Sequence, residues 1–216
     1  MPSKNALKTY VEGGYYHIYN RGVEKRRIFF DRGDYNTFLH YLSLYMTPID
    51  ELHKEKPLLR LNIVKNNLSD EIDIVAYCLM PNHFHLLVKQ KSKDGITRLM
   101  RQITTGYSMY FNKRYNRQGH LFQGRFKAAL VENEEHLLHL SRYIHLNPQD
   151  RGVSLSEFEW SSYLNYLGNK NEQWVNTKLI LDYFTKSNYQ GTYKQFVEEY
   201  KGTEPKLASD LFIEQD

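Results

Sequence analysis

Ile72-Asp73-Ile74-Val75-Ala76-Tyr77-Cys78-Leu79-Met80, then Pro81-Asn82, then His83-Phe84-His85-Leu86-Leu87-Val88, is the stretch on which the fold turns. The first run is apolar apart from Asp73. The second resumes immediately after the Pro-Asn turn signal. Runs of this length and composition, bounded by turn residues, read as strands. Two strands joined so closely form either a hairpin or one long kinked pair. Upstream, Tyr15 to Asn20 reads as another strand, aromatic and β-branched, ended by Asn20-Arg21-Gly22. A basic loop follows over Arg21 to Arg27. Asp34 begins a helical pattern with Phe38, Leu39, Leu42 and Tyr45 on one side, ended by Thr47-Pro48. Leu58 to Val64 is expected as a short extra strand, and Asn66 to Asp70 as a turn.

Downstream, Asp94 to Asn116 reads as a long basic helix, with Ile96, Leu99, Met100, Ile103, Tyr107, Tyr110 and Phe111 at helical spacing. Arg117-Gln118-Gly119 breaks it. His120 to Val131 reads as a strand containing Gly124. Asn133 then caps a helix whose Glu134 and Glu135 suit its N-terminal dipole, and which stops at Asn147-Pro148. Strands and helices in this order fit an α+β domain, an antiparallel sheet with helices packed on it. Gly152 is the expected boundary between a catalytic unit over 1–152 and a small acidic helical appendage over 153–216.

Composition limits the function classes. With 216 residues and 41 % hydrophobic positions, the chain can bury a core without staples. One cysteine, Cys78, excludes a disulfide framework and a cysteine-based zinc site. No apolar run approaches the roughly 18–20 residues of a membrane span. The first residues lack the apolar core of a secretory signal, so the cytoplasm is the expected compartment. The net charge of +4 conceals an uneven distribution: residues 153–216 carry −4 and no Arg, leaving +8 on 1–152. Lys89 to Lys127 holds ten basic residues against one acid, Asp94. A basic stretch of this kind suits a polyanion such as nucleic acid, or is simply a solvated face. Eighteen tyrosines favour the first reading, because aromatic rings beside cations stack on unpaired bases.

Two places could carry chemistry. His83 and His85 sit at i and i+2 on one strand face, with Phe84 pointing into the core. Two neutral imidazoles there can hold a divalent cation with positions open for substrate, though the pair also reads as two exposed strand histidines. Tyr143 and Asn147 lie one helical turn apart, beside the apolar stripe Leu137, Leu140 and Ile144. The amide is a hard oxygen ligand suited to Mg²⁺ or Mn²⁺, and the phenol is one turn from it. Against this, Tyr143 is one tyrosine of many, and Asn147 is a good helix stop before a proline. Tyr107, Tyr110 and Tyr115 are rival nucleophiles whose spacing fits packing or base stacking better. His139, one turn before Tyr143, reads as packed, and His120 as a turn residue.

Taken together, Met80-Pro81-Asn82-His83-Phe84-His85-Leu86-Leu87-Val88 resembles the His-hydrophobe-His (HUH) motif of the single-tyrosine transposases of the insertion-sequence type. More narrowly, the chain is similar to the REP-associated tyrosine transposases. Tyr16-His17-Ile18-Tyr19-Asn20-Arg21-Gly22 resembles that family's first strand, and Gly119-His120-Leu121-Phe122-Gln123-Gly124-Arg125-Phe126 its Gly-x-Leu-[Trp/Phe]-Gln-x-Arg segment. Arg142-Tyr143-Ile144-His145-Leu146-Asn147-Pro148 resembles the helix of the nucleophile, and Trp160-Ser161-Ser162-Tyr163 the segment after it. The motifs span about residues 10–170 in the family's order. Gln149-Asp150-Arg151-Gly152 departs from the family's usual connector.

The resemblance implies a ferredoxin-like sheet and cleavage and rejoining of single-stranded DNA near hairpins through a covalent 5′-phosphotyrosine. It implies Tyr143 as nucleophile and His83, His85 and Asn147 as ligands of Mg²⁺ or Mn²⁺. Candidate DNA contacts are Arg21, Lys25, Arg26, Arg27, Arg98, Arg101, Lys113, Arg114, Arg117, Gln123 and Arg125, with Gln123 and Arg125 expected on one face of a strand. The expected partner is hairpin-bearing single-stranded DNA, with a monomer favoured over a dimer. The alternative is a domesticated relative that holds hairpin DNA or RNA without cutting it.

Overall fold

The structure, a computed structural model, describes residues 10–55, 65–186 and 191–200. Strands β1 (Tyr15–Arg21), β2 (Ile72–Met80), β3 (His83–Gln90) and β4 (Lys127–Val131) form one sheet in the order β2-β3-β1-β4. Every neighbouring pair is antiparallel. Helix α1 (Arg32–Met46) and the short α2 (Ile49–Glu55) separate β1 from β2, and α3 (Gly95–Arg114) separates β3 from β4. This is the β-α-β-β-α-β order of a ferredoxin-like sheet. Helix α4 (Glu134–Leu146) then crosses to the other face.

Pro81-Asn82 closes a tight hairpin, with Met80 paired to His83 across it. Alternation along each strand divides the side chains between two cores. Tyr16 and Ile18 of β1 join Phe84, Leu86 and Val88 of β3 under α1 and α3, with Phe38, Leu42, Leu99, Ile103 and Tyr107. Val75, Ala76, Leu87, Ala129 and Val131 point the other way and meet Leu137, Leu140 and Ile144 of α4. Two helices carry local N-caps: Asp31 accepts from the Asp34 amide at the start of α1, and Asn133 from the His136 amide at the start of α4.

The expected strand from His120 shortens to Lys127–Val131. Gly119 and Gly124 take positive φ, +85° and +69°, which breaks extended backbone on either side of Phe122. Only Phe122 bridges, to Gly22, and the Gln123 amide donates to the Arg21 carbonyl. Gln123 and Arg125 therefore lie in a loop, not on one strand face. The expected strand over Leu58 to Val64 lies outside the described residues.

Beyond Gly152 the chain runs along the outer edge of β2. Ser161 bridges Cys78 and Val175 bridges Ile74, which covers an edge that would otherwise expose unpaired backbone groups. Three further helices follow: α5 (Tyr163–Tyr166), α6 (Lys178–Lys186) and α7 (Tyr193–Glu198). Trp174 and Val175 join the first core, and Tyr163, Tyr166, Ile180, Tyr193, Phe196 and Val197 the second. Among the described residues no helix is long and apolar enough to cross a membrane.

Candidate active site

The strand histidines face α4. His85 is fully buried and His83 partly so. Their ring centroids are 5.0 Å apart, and Nδ1 of His83 pairs with Oδ1 of Asn82 at 2.8 Å. Tyr143 enters from α4 with its ring edge-on to His85, at 5.5 Å between centroids. Asn147 follows one turn later, close enough to both imidazoles to act on them electrostatically. Its backbone stays helical (φ −46°, ψ −40°) although it precedes Pro148, and its Nδ2 donates to the Tyr143 carbonyl at 2.9 Å. That bond turns the amide oxygen away from its own helix. The α-helix ends where the sequence indicated, with Asn147 as its C-cap, and a short 3-10 turn, Gln149–Arg151, follows Pro148.

Burial holds both imidazoles neutral. It lowers His83 to about 4, against the opposing pull of Asn147, with the charges of Arg151 and Arg21 adding to the drop. Burial lowers His85 further, helped by His83 and by a third histidine, His17. A neutral imidazole presents a lone pair, which a metal requires. Nε2 of His85 is buried and makes no well-formed hydrogen bond. An unpartnered ring nitrogen beside an amide and a second imidazole fits a hard divalent cation. Among the described residues no three His, Cys, Asp or Glu side chains converge as ligands.

The rival tyrosines lie on the opposite face. Tyr107 is buried and donates to the Ile28 carbonyl, while Tyr110 and Tyr115 donate to the buried carboxylate of Asp34. His139 sits against Arg142, 2.6 Å from its guanidinium, and edge-on to Phe196. His120 is exposed in the loop before β4.

The candidate DNA contacts divide into three sets. Arg21 lies directly across the sheet from His83, and Lys25, Arg26 and Arg27 follow in a tight turn beside Asn82. Gly22 makes that turn, since a Cβ there would sit 2.2 Å from the Arg26 carbonyl. Arg26 pairs with Glu24, and Gln123 accepts from Arg21. On α3, Arg98 is tied to Glu71 and Arg114 to Asp31 and Asp34, so their charge is matched within the fold. Arg101 and Arg125 are exposed and flank an open groove of about 680 Å³ with Thr104, Ser108 and Phe126. Lys113 is exposed and Arg117 half-buried nearby.

Two histidines missed in the sequence hold this site from behind. His17, fully buried on β1, places Nε2 2.8 Å from Nδ1 of His85. His145, between Tyr143 and Asn147, is fully buried on the other side of α4. Its Nδ1 pairs with the Tyr193 hydroxyl at 2.7 Å and its Nε2 with Ser162 Oγ at 2.8 Å. Ser162 in turn accepts from the Tyr77 amide of β2, and Tyr193 donates to Ser141. The signal for His17 was the alternation of β1, which puts it on the same face as the His83-x-His85 pair once the strands are neighbours.

A histidine pair on the central strand of an antiparallel sheet, opposite a tyrosine and an amide on one helix, is the arrangement that the motifs implied for single-tyrosine transposases. Residues 52–147, from α2 to Asn147, match the family model of the IS200-like transposases. Among solved structures, the chain is similar to a REP-associated tyrosine transposase bound to a REP hairpin, at 17% identity and a TM-score of 0.51, over 79% of this chain and 90% of that one. That likeness shows a shared fold. A candidate transposase from Deinococcus radiodurans R1 follows at 15% identity and a TM-score of 0.36, over 64% and 93%. The tRNA(His) guanylyltransferase of Saccharomyces cerevisiae is matched at 10% identity and a TM-score of 0.40, over 94% and 85%. No curated protein matches significantly. The family match over residues 52–147 agrees with the resemblance to IS200-like transposases, and the fold is shared with the REP-associated transposase.

Proposed function

We propose that the protein cleaves and rejoins single-stranded DNA beside hairpins, with Tyr143 as nucleophile. The observation that carries this reading is the packing of the Tyr143 ring against His85, one helical turn before an Asn147 that faces both strand histidines. A divalent cation, Mg²⁺ or Mn²⁺, on His83, His85 and Asn147 would polarise the scissile phosphate and offset charge on its oxygens. The Tyr143 oxygen attacks phosphorus, forms a 5′-phosphotyrosine and releases a free 3′-OH. Attack by a 3′-OH reverses the step and frees the phenol, so the strand is rejoined with no external energy. A phenol titrates near ~10 and needs help at neutral pH, and placing it beside the cation's ligands supplies the proximity. Asn147 and Tyr143 share one helix, so ligand and nucleophile move together.

Hairpin DNA is the partner proposed, on the likeness to the hairpin-bound transposase. The turn at Arg21–Arg27 borders His83 and suits the strand entering the site, while Arg101 and Arg125 suit phosphates along the α3 groove. The test is incubation with hairpin-flanked oligonucleotides and Mn²⁺, followed by a denaturing gel. A covalent adduct is expected, absent in EDTA and absent in Tyr143→Phe, with hairpin affinity nearly unchanged. An adduct that persists in Tyr143→Phe and disappears in Tyr110→Phe overturns the nucleophile. Cutting without an adduct points to hydrolysis by water, and tight hairpin binding with neither cutting nor adduct to the non-catalytic alternative.

A further inference from the structure

We propose that His17 is a positioning residue that holds His85 in the one tautomer able to bind a divalent cation. The inference rests on His85 being a ligand. His17 has a relative exposure of 0%, and on the α4 face its ring lies against Tyr19 and edge-on to Tyr143. A buried imidazole at such a place is costly unless a polar partner accounts for it, and Val or Ile would fill the space without that cost. The partner that His17 has is Nδ1 of His85, 2.8 Å away, with the two rings nearly coplanar at 14°.

This bond admits two proton arrangements. In the first, His85 carries its proton on Nδ1 and donates it to Nε2 of His17, which leaves a lone pair on Nε2 of His85. In the second, His17 donates, and the proton of neutral His85 sits on Nε2, where it blocks a metal. Nε2 of His85 is the atom left without a hydrogen bond, buried beside His83 and Asn147. A cation at that atom selects the first arrangement, and His17 as acceptor stabilises it. Outer-shell partners of this kind fix the ring and raise its basicity, and their loss typically costs about 10–100-fold in metal affinity. Tyr19 packs at 4.8 Å from the His17 ring, and the other ring nitrogen of His17, Nδ1, is buried without a hydrogen bond. His17 therefore acts through its one polar contact, and a phenylalanine would keep the ring while deleting that contact.

The experiment is titration of the full chain with Mn²⁺ by calorimetry, without DNA. His17→Phe should weaken Mn²⁺ by about 10–100-fold. His17→Gln, whose Oε1 can accept near the position of Nε2, should recover most of the affinity. In the adduct assay the Mn²⁺ needed for half-maximal rate should rise in His17→Phe while the rate at saturating Mn²⁺ changes little. Hairpin affinity in EDTA should not move. A folded His17→Phe that binds Mn²⁺ as the parent does overturns the positioning role. If His85→Ala also binds Mn²⁺ like the parent, the ligand assignment itself has failed; loss in His85→Ala alone defeats only the role of His17. Should His17→Phe not fold, nitrogen-15 NMR of the parent histidines in Mg²⁺ decides the matter. A protonated Nδ1 on His85 is expected, and a protonated Nε2 overturns the proposal.

Discussion

On β3, Phe84, Leu86 and Val88 point towards α1 and α3, while His83, His85 and Leu87 point towards α4. The neighbouring β1 repeats the division, with Tyr16 and Ile18 on one side and His17 and Tyr19 on the other. The α3 side is a continuous aromatic and aliphatic core whose buried charge, Asp34, is surrounded by donors. The α4 side mixes apolar packing with imidazoles, a phenol and an amide, and His17, His85 and His136 there each keep one buried ring nitrogen without a hydrogen bond. One face thus carries most of the apolar burial, and the other holds the unpartnered imidazole nitrogens. The difference shows why the candidate chemistry lies on the α4 face: a site needs lone pairs not already used by the fold.

The sharpest way to break this division is to alter adjacent residues of β3. Phe84→Ala should cost about 3–5 kcal/mol in unfolding free energy, whereas Phe84→Leu should fold with a smaller loss. His83→Ala, on the half-exposed neighbour, should cost under about 1 kcal/mol and yet abolish adduct formation. Urea unfolding and the adduct gel read the two effects separately. Equal stability losses at both positions would erase the contrast.

Asp34 offers the next test on the α3 face. Its carboxylate accepts from the Phe30 amide, the Tyr110 and Tyr115 hydroxyls and Arg114. Asp34→Ala leaves those donors facing a buried gap and should cost about 3 kcal/mol, with Mn²⁺ affinity unchanged in the folded fraction. A change in Mn²⁺ affinity would show that the two faces communicate.

Acid should act on the α4 face first. Burial lowers His17 and His145 to about 3. An unfolded histidine titrates near ~6.5, so below that pH the unfolded chain binds protons that the folded one does not. Stability from each is fully present above pH ~6.5 and falls as pH drops towards the folded value, by about 2 kcal/mol per histidine at pH 5. Urea midpoints of the metal-free protein at pH 7.5, 6 and 5 measure the sum. His145→Gln should flatten the slope, and an unchanged slope would remove His145 from the account.

The smallest effect expected is at the α3 groove. Arg101→Ala touches no core and should change stability by under about 0.5 kcal/mol. It should weaken hairpin binding and reduce the salt dependence of log Kd by about one. A change in the adduct rate at saturating DNA would place Arg101 nearer the chemistry than the geometry does.

The strands around Pro81-Asn82, helices α1, α3 and α4, and the sharing of one face by His83 and His85 were legible because each depends on local periodicity. The Tyr143 and Asn147 spacing was legible for the same reason, and the family's motifs added the link between that helix and the strand pair. The extent of β4 was not, because positive φ at Gly119 and Gly124 overrode the strand-like composition around them. Arg98 and Arg114 read as free cations because Glu71 and Asp34 lie far from them in sequence, 27 and 80 positions away. His17 and His145 were passed over for a similar reason. Their partners, His85 and Tyr193, are separated from them by 68 and 48 positions, and only the register of the sheet and the path of the tail bring them together.

That last separation bears on how the chain is made. A ribosome releases α4 well before Tyr193, while the strands and α3 needed for the first core are already out. During that interval His145 has Ser162 but lacks the hydroxyl on its Nδ1, and Ser141 lacks its donor. The helix bearing Tyr143 and Asn147 can then rest on the sheet by its leucines before its buried polar side is complete. Assembly in this order leaves both faces waiting for the tail, the first for Trp174 and Val175 and the second for Tyr193, which is among the last of the described residues to be synthesised.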